Sequence, residues 1–291
     1  MTLRSERNQM KSTFKIPVAK ALLLGILLPL SLILVLLALS PRYFEMRNEV
    51  LNFAQPVQRV LVVFAHPDDE VTNSGLIRHL ADSGAEITLL TLSDGSANPQ
   101  SDMTACSGHE YISECRIEEL KAAAQLLGIK RVVTPMLPDS ALIHHLPQAI
   151  QSISEEIVNQ RPDIILTMEP SGLNGQEDHR AVFPAVAQAV KRTRHSVKIL
   201  LSTLPWPISV FLPSRIPEPL RANLRVFPTP EYLRAVKSNV AEAHKSQQRT
   251  IQGLTLGLGP KILFNWLSFE TYSVVGSHDL DVFLKNGTFQ F

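Results

Sequence analysis

The sequence predicts an α/β protein with a mostly parallel sheet flanked by helices. Short apolar runs rich in Val, Ile and Leu alternate along the chain with longer segments of mixed polarity. This alternation is typical of βαβ units joined by right-handed crossovers, and thus of a Rossmann-like, doubly wound sheet. We expect five strands, at residues 60–65, 86–92, 131–135, 163–168 and 197–204.

Helices are expected between these strands, at residues 71–83, 113–127, 146–160 and 180–192. Gly84 and Gly128 follow the first two helices, as expected where a chain leaves a helix through a left-handed residue. Pro184 is expected near the first turns of the last helix or at a kink.

One transmembrane helix is expected before the α/β domain. Residues 21–39 contain a single polar side chain, Ser31. In a helix that rises about 1.5 Å per residue, this run nearly spans a hydrocarbon core about 30 Å thick. Residues 1–20 are basic, so we expect a cytoplasmic tail, the anchor at 21–39, a linker at 40–57 and an exported, periplasmic or extracytoplasmic domain at 58–291.

The alternative to an anchor is a cleaved signal peptide. Small residues stand at Ala38 and Ser40, but Pro41 would follow the cut and usually blocks it. The length of the apolar run favours an uncleaved, single-pass membrane protein.

Composition excludes some partners and leaves the state of the cysteines open. The net charge of +1 carries no nucleic-acid signature. Cys106 and Cys115 are the two cysteines. They are expected to form a disulfide if the domain is exported, and two free thiols are the alternative.

The stretch VLVVFAHPDDE at residues 60–70 is the strongest candidate for a functional site. His66, Asp68 and Asp69 follow the first strand, at the carboxyl end where open α/β sheets bind ligands. An imidazole and a carboxylate three residues apart can reach one metal ion. The alternatives are a phosphate-accepting receiver domain, which does not need the histidine, or helix capping by Asp69 or Thr72.

A second polar loop, SGLNGQEDHR at residues 171–180, follows the fourth strand. Its His179 is predicted to point across the crevice toward His66 and Asp69. Two histidines and one carboxylate leave a fourth position open, which is the pattern of a catalytic zinc site. The alternative is a surface or capping histidine at a helix start.

Several motifs together resemble those of the zinc-dependent N-acetylglucosaminyl deacetylases, the PIG-L or LmbE-like family. They occur in that family's order: AHPDDE at 65–70, RIEE at 116–119, LG at 127–128, PD at 138–139, DH at 178–179, HKSQ at 244–247 and ETY at 270–272. The resemblance covers nearly all of the chain beyond the expected anchor.

The resemblance implies hydrolysis of an N-acetyl group from an N-acetylglucosamine-type sugar, giving acetate and a free amino sugar. It implies that Zn²⁺ is held by His66, Asp69 and His179. Asp68, beside the metal ligand, would be the general base, because a carboxylate not tied up as a ligand can accept a proton.

Arg116 and Asp139 match family positions that hold sugar hydroxyls, and a guanidinium with a carboxylate suits a polyol. The alternatives are an ion pair of Arg116 with Glu119 and a simple Pro-Asp turn. Gln176 stands where the family usually has a histidine that helps the tetrahedral intermediate. We predict that its amide donates a hydrogen bond to the oxyanion.

The expected membrane location suggests a glycolipid or an envelope glycan as substrate. The apolar segments 204–220 and 256–269 are predicted either to face the bilayer or to form core or a flap over the site. Two other functions remain open, a non-catalytic sugar-binding relative and a zinc hydrolase of another amide or ester.

Overall fold

The computed structural model describes residues 48–204, 223–255 and 257–280, together with the helical positions Leu27, Leu30 and Ser31. The chain divides into two compact units, Met1–Ser40 and Pro41–Phe291. The predicted tail and, except for those three positions, the predicted anchor lie outside the described residues, as does nearly all of 204–220. Among the residues that are described, none of the helices has the length and apolar character needed to cross a bilayer.

The described part of the second unit contains one sheet of eight strands, three more than predicted. The strands are β1 Glu49–Val50, β2 Arg59–Phe64, β3 Glu86–Thr91, β4 Arg131–Val133, β5 Ile164–Met168, β6 Lys198–Thr203, β7 Leu224–Pro228 and β8 Phe269–Gly276. Their order across the sheet is β1-β7-β8-β6-β5-β2-β3-β4. The strand β8 pairs antiparallel with β6 and β7, and the other pairs are parallel. The mostly parallel sheet is confirmed, and β1, β7 and β8 were not predicted.

Helices of the described residues cover both faces of this sheet. They are α1 Ser74–Asp82, α2 Ile112–Leu127, α3 Leu146–Gln160, α4 Glu177–Thr193, α5 Glu231–Ala243, α6 Gln248–Leu254 and α7 Pro260–Trp266. Shorter 3-10 turns lie at Asp69–Asn73, Met103–Ala105, Leu142–His145 and Lys245–Gln247, and a single helical turn lies at Gly172–Gly175. The helix predicted at 71–83 is therefore a 3-10 turn followed by α1.

The glycine predictions are confirmed, and the proline prediction needs a correction. Gly84 and Gly128 have φ of 92° and 72°, so both occupy the left-handed region at the ends of α1 and α2. The helix α4 begins at Glu177, earlier than predicted, so Pro184 lies in its interior.

The continuous apolar run of β2 is explained by burial on both faces. Val60, Val62 and Phe64 pack in the core beneath α1, α2 and α5. Leu61 and Val63 point the other way, into the core beneath α3 and α4. The strand therefore holds a fixed position in the middle of the sheet, and so does the loop that follows it.

The two cysteines are joined. Cys106 and Cys115 form a disulfide with their Cα atoms 5.5 Å apart. Cys115 lies in the first turns of α2, so the bond fastens the long loop after β3 to that helix.

A buried polar network joins β8 to the start of α1. One carboxylate of β8, Glu270, accepts hydrogen bonds from the backbone N–H groups of Gly75 and Leu76, each at 2.9 Å. It also accepts from the Tyr272 hydroxyl at 2.7 Å and is paired with the ammonium of Lys237. Burial lowers the pKa of Lys237, and Glu270 opposes that effect. The late ETY motif therefore caps a helix.

We predict that Glu270→Ala lowers the free energy of unfolding by about 3–5 kcal/mol, because it leaves the Lys237 charge buried without its partner. Denaturation of the full-length chain by guanidinium, followed by circular dichroism, measures the change. The matched control is Glu86→Ala, whose partner Lys130 is 3.9 Å away in a pair about two-thirds exposed. This exposed pair is expected to contribute less than about 1 kcal/mol. Equal losses in the two variants would contradict the prediction.

Candidate metal and catalytic site

The candidate site lies where β2 and β5 end. These strands are parallel neighbours, with Val60 opposite Ile164 and Val62 opposite Leu166. Their carboxyl ends therefore open side by side. His66 follows β2 closely, and the loop after β5 leads into α4, whose first turn carries His179.

The structure brings the three predicted metal ligands together. His66 Nδ1 lies 3.1 Å from His179 Nε2, and His179 Nε2 lies 3.2 Å from Asp69 Oδ1. His66 Nδ1 is 3.7 Å from Asp69 Oδ2. All three side chains are buried, and their ligand atoms lie within 4.8 Å of one another. Two imidazole nitrogens and a carboxylate oxygen at this spacing suit a divalent metal with an open coordination position.

The outer nitrogen of each imidazole has a fixed partner. His66 Nε2 lies 3.0 Å from Asp139 Oδ1 and 3.2 Å from Asp178 Oδ2, and His179 Nδ1 lies 3.1 Å from the carbonyl oxygen of Gly172. A ring nitrogen that donates to such an acceptor leaves the lone pair of the other nitrogen free for a metal. Both lone pairs then point into the group formed with the third ligand, so the residues fit a bound metal ion.

Neighbouring charged groups shift the pKa values of two of the three predicted metal ligands. Burial alone would lower the pKa of His66, but its hydrogen bonds to Asp139 and Asp178 raise the pKa to about 10. Burial would raise the pKa of Asp69, but the neighbouring His179 brings it down to about 2. The site is therefore rich in negative charge.

Asp178 is a site residue whose role is not predictable from the motifs alone. Its Oδ2 accepts a hydrogen bond from the backbone N–H of Ser140 at 2.7 Å, and its Oδ1 accepts from that of Leu142 at 3.0 Å. It thus holds the loop that carries Asp139 while it orients His66. The available signal was its place directly before His179 at a helix start.

Asp68, the predicted general base, has a strained backbone. Its φ is 117°, a value that costs an L-residue on the order of 1–3 kcal/mol. Its Oδ2 lies 3.1 Å from Arg116 Nη2, and its N–H donates to Glu70 Oε2 at 3.1 Å. Burial raises the pKa of the Asp68 carboxyl, Arg116 opposes this, and the Asp69 charge adds to it.

The structure does not show the alternative in which Asp69 or Thr72 caps the following helix. The Asp69 carboxylate accepts from the backbone N–H of His66 at 2.7 Å. The Thr72 hydroxyl donates to the Asp69 carbonyl at 3.1 Å. Neither side chain caps the start of α1.

Arg116 and Asp139 are both engaged by the protein. The guanidinium, 2% exposed, donates to the carbonyl oxygens of Pro67 and Gly95 and pairs with Asp68. Asp139 Oδ2 accepts from the Ala97 N–H at 2.8 Å, while Oδ1 faces His66. Burial would raise the pKa of Asp139, but the hydrogen bond to His66 leaves it lowered.

The structure does not support the two alternatives, an ion pair of Arg116 with Glu119 and a simple Pro-Asp turn at Asp139. Glu119 does not pair with Arg116; it accepts hydrogen bonds from the backbone N–H and the hydroxyl of Ser246, each at 2.7 Å. The turn that carries Asp139 also reaches His66, so it does more than reverse the chain. Contact of Arg116 and Asp139 with a substrate stays a prediction.

Gln176 is the N-cap residue of α4 and is exposed. It lies three residues before His179, on the loop between the site and the helix. Its exposure leaves the amide accessible to a ligand, and its role as an oxyanion donor stays a prediction.

We predict that Gly172→Ala weakens metal binding by roughly 10–100-fold, the usual effect of disturbing a residue that orients a ligand. Gly172 has φ of 72°, and a Cβ there would lie 2.7 Å from the Cβ of His179. Isothermal calorimetry with Zn²⁺ measures the affinity.

Gly175→Ala is the matched control for this experiment. Gly175 has φ of 83°, so it imposes the same kind of backbone strain, but a Cβ there meets nothing within 4 Å. We expect this variant to lose stability and to keep its metal affinity. Equal affinities of the two variants would refute the role assigned to Gly172.

Part of the chain is similar to known deacetylases. The family model described as GlcNAc-PI de-N-acetylase, PIG-L, matches residues 61–190. A diacetylchitobiose deacetylase of Thermococcus kodakarensis is 34% identical over 135 residues, which is 46% of this chain and 48% of that protein. A 1D-myo-inositol 2-acetamido-2-deoxy-alpha-D-glucopyranoside deacetylase of Corynebacterium glutamicum is 28% identical over 141 residues, or 42% and 49% of the two chains. The chain spans about half the length of these curated relatives.

Solved structures share the fold. The zinc-inhibited form of the teicoplanin deacetylase Orf2 aligns with a TM-score of 0.58 and 20% identity, covering 76% of this chain and 100% of that one. The N,N'-diacetylchitobiose deacetylase of Pyrococcus horikoshii aligns with a TM-score of 0.55 and 19% identity, covering 79% and 89%. The resemblance seen in the motifs is thus confirmed: residues 61–190 of this chain match the family model described as PIG-L.

Proposed function

We propose that this protein is a zinc-dependent N-deacetylase that hydrolyses the acetamide of an N-acetylglucosamine-type sugar. The observation that carries the proposal is the convergence of His66, Asp69 and His179 within 4.8 Å, with the carboxylate of Asp68 next to them in the chain. The relatives named as deacetylases of N-acetylated sugars support the same reaction class.

Zn²⁺ is the metal that this donor set suits, because imidazole nitrogen and carboxylate oxygen are ligands common in catalytic zinc sites. His66, Asp69 and His179 would hold it. When bound in such a site, zinc lowers the pKa of a water molecule from about 15.7 to about 7 and polarises a carbonyl oxygen.

Asp68 handles the protons of the reaction. Its pKa is raised by burial, so the carboxylate is a stronger base than an exposed aspartate. It takes a proton from the water that attacks the acetamide carbonyl. It then gives this proton to the nitrogen as the C–N bond breaks, and acetate and the free amine leave.

Other side chains orient the reacting groups. Arg116, 3.1 Å from the Asp68 carboxylate, holds the base in place. Gln176 donates from its amide to the carbonyl oxygen as that oxygen gains charge. Arg116 and Asp139 also contact sugar hydroxyls, because a guanidinium and a carboxylate together supply donors and acceptors for a polyol.

The natural substrate is proposed to be a glycolipid or an envelope glycan. The support is the apolar run at residues 21–39, which suits a single-pass anchor with a cytoplasmic N-terminus and an exported domain. The Cys106–Cys115 disulfide agrees with an oxidising compartment.

We predict that Asp68→Asn reduces acetate release at least about 100-fold, because general acid–base catalysis contributes roughly 10²–10⁴-fold. Bound zinc should stay near that of the wild type, since the amide keeps the side-chain shape. Acetate is assayed on a panel of N-acetylated glycans and zinc by elemental analysis, with His179→Ala as the variant expected to lose both. Absence of both bound zinc and acetate release in the wild type would favour a non-catalytic sugar-binding protein. Turnover of other amides or esters alone would favour a different hydrolase.

We predict that the full-length chain stays in the membrane fraction after alkaline carbonate washing, because a helix of about 19 apolar residues nearly spans the bilayer core. Fractionation followed by immunoblotting measures this. A double variant, Leu27→Arg with Leu34→Arg, places two charges in the run and is expected to be released. Pro29→Ala is the matched control, because it keeps the run apolar and should stay in the membrane. Release of the wild type, or a shortened mature chain, would refute the anchor.

A further inference from the structure

A buried acid–histidine pair lies behind Asp68, and the reaction proposed above does not use it. His244 Nε2 and Glu70 Oε1 are 2.5 Å apart, and these residues are 0% and 1% exposed. His244 ends α5, near the far end of the chain, whereas Glu70 lies in the 3-10 turn after β2. The pair therefore joins two elements that are 174 residues apart in sequence.

The second oxygen of Glu70 reaches the proposed general base. Glu70 Oε2 accepts the hydrogen bond from the Asp68 N–H at 3.1 Å, and the Asp68 carbonyl accepts from the Val71 N–H at 3.1 Å. The φ of 117° at Asp68 is one that L side chains rarely adopt. A residue keeps such a conformation only where its surroundings over-determine it. Glu70 supplies one of the bonds that do so.

The Glu70–His244 pair is a costly way to stabilise the fold if it has no other role. Burying an ionisable pair removes both groups from water, and well-packed apolar side chains often stabilise as well or better. His244 Nδ1 is also buried without a hydrogen-bond partner among the described residues, which adds to the cost. What the pair supplies that apolar side chains cannot is a fixed acceptor for the Asp68 N–H.

The metal ligands do not depend on this acceptor. The Asp69 carboxylate is held by the His66 N–H at 2.7 Å, and the Asp69 N–H donates to the His66 carbonyl at 3.3 Å. The Glu70 carboxylate bonds to Asp68 and His244. The pair and the metal-binding side chains are therefore separable by mutation.

We propose that Glu70 and His244 are positioning residues: His244 orients the Glu70 carboxylate, and Glu70 fixes the peptide of Asp68 so that its side chain points into the site. The inference rests on the proposed role of Asp68 as general base. Arg116 holds the carboxylate from one side, and the Glu70–His244 pair holds the backbone from the other.

The test compares disruptive with conservative variants of both residues in the full-length protein. Glu70→Ala and His244→Leu remove the contact, so kcat for acetate release should fall roughly 10–100-fold, the size expected for a misplaced catalytic group. KM and zinc content should stay within about twofold of the wild type, because neither residue touches substrate or metal. Glu70→Gln and His244→Gln should recover most of kcat, since an amide can still accept from the Asp68 N–H or donate to Glu70.

Glu156→Gln is the matched control. Glu156 is a buried carboxylate, 6% exposed, paired with Arg131 away from the site. Its amide variant is expected to lower the melting temperature and leave kcat unchanged. Wild-type kcat in Glu70→Ala and His244→Leu, or a parallel loss of zinc, would overturn the inference.

A crystal structure of the His244→Leu variant separates this inference from the proposed function. We expect the Asp68 carboxylate to leave Arg116 while His66, Asp69 and His179 keep their places. An Asp68 that keeps its 3.1 Å contact with Arg116 would overturn the positioning role, whatever reaction the enzyme performs. Absence of acetate release by the wild type would overturn the proposed function alone.

Discussion

The site depends on the parallel pairing of β2 with β5, because this pairing sets two loops side by side that are far apart in sequence. His66 and His179 come from these loops, and their facing nitrogens are 3.1 Å apart. A one-residue slip would turn every side chain of a strand to the opposite face of the sheet and disrupt the packing of both cores. Core packing therefore fixes the distance between the ligands, and the hydrogen bonds of Gly172 and Asp178 then fix the ring orientations.

The base is held differently from the metal ligands. Asp68 occupies a strained conformation that the strand alone cannot impose, so it depends on contacts from the rest of the chain. Arg116 reaches it from α2, and the same guanidinium binds the carbonyl of Gly95 in the loop after β3. That loop is fastened to α2 through Cys115, the residue before Arg116. The disulfide thus stabilises the surroundings of the base, whereas the metal ligands rest on the sheet.

The sequence was most informative where function coincides with a strand end. His66, Asp69 and His179 could be predicted to lie together because each follows the carboxyl end of a predicted strand, and the family resemblance supplied the ligand set. The strand β8 was missed because its sequence, FETYSVVG, contains many polar side chains. These side chains find their hydrogen-bond partners only in the folded protein, as the bond from the Tyr272 hydroxyl to Glu270 illustrates. Asp178 and Glu70 were missed as functional residues for a related reason. Their partners are backbone groups and side chains that only the tertiary structure brings near.

The charge around His66 explains why this edge of the sheet suits a cation. Asp139 and Asp178 face one nitrogen of the ring, and Asp69 lies near the other. These carboxylates raise the pKa of the His66 imidazole to about 10. A ring nitrogen must lose its proton before it can bind a metal ion. The proton and the metal ion therefore compete for the same nitrogen, and the neighbouring carboxylates stabilise either positive charge. The acids that raise the pKa of the histidine are therefore also the groups that compensate a divalent charge when the proton leaves.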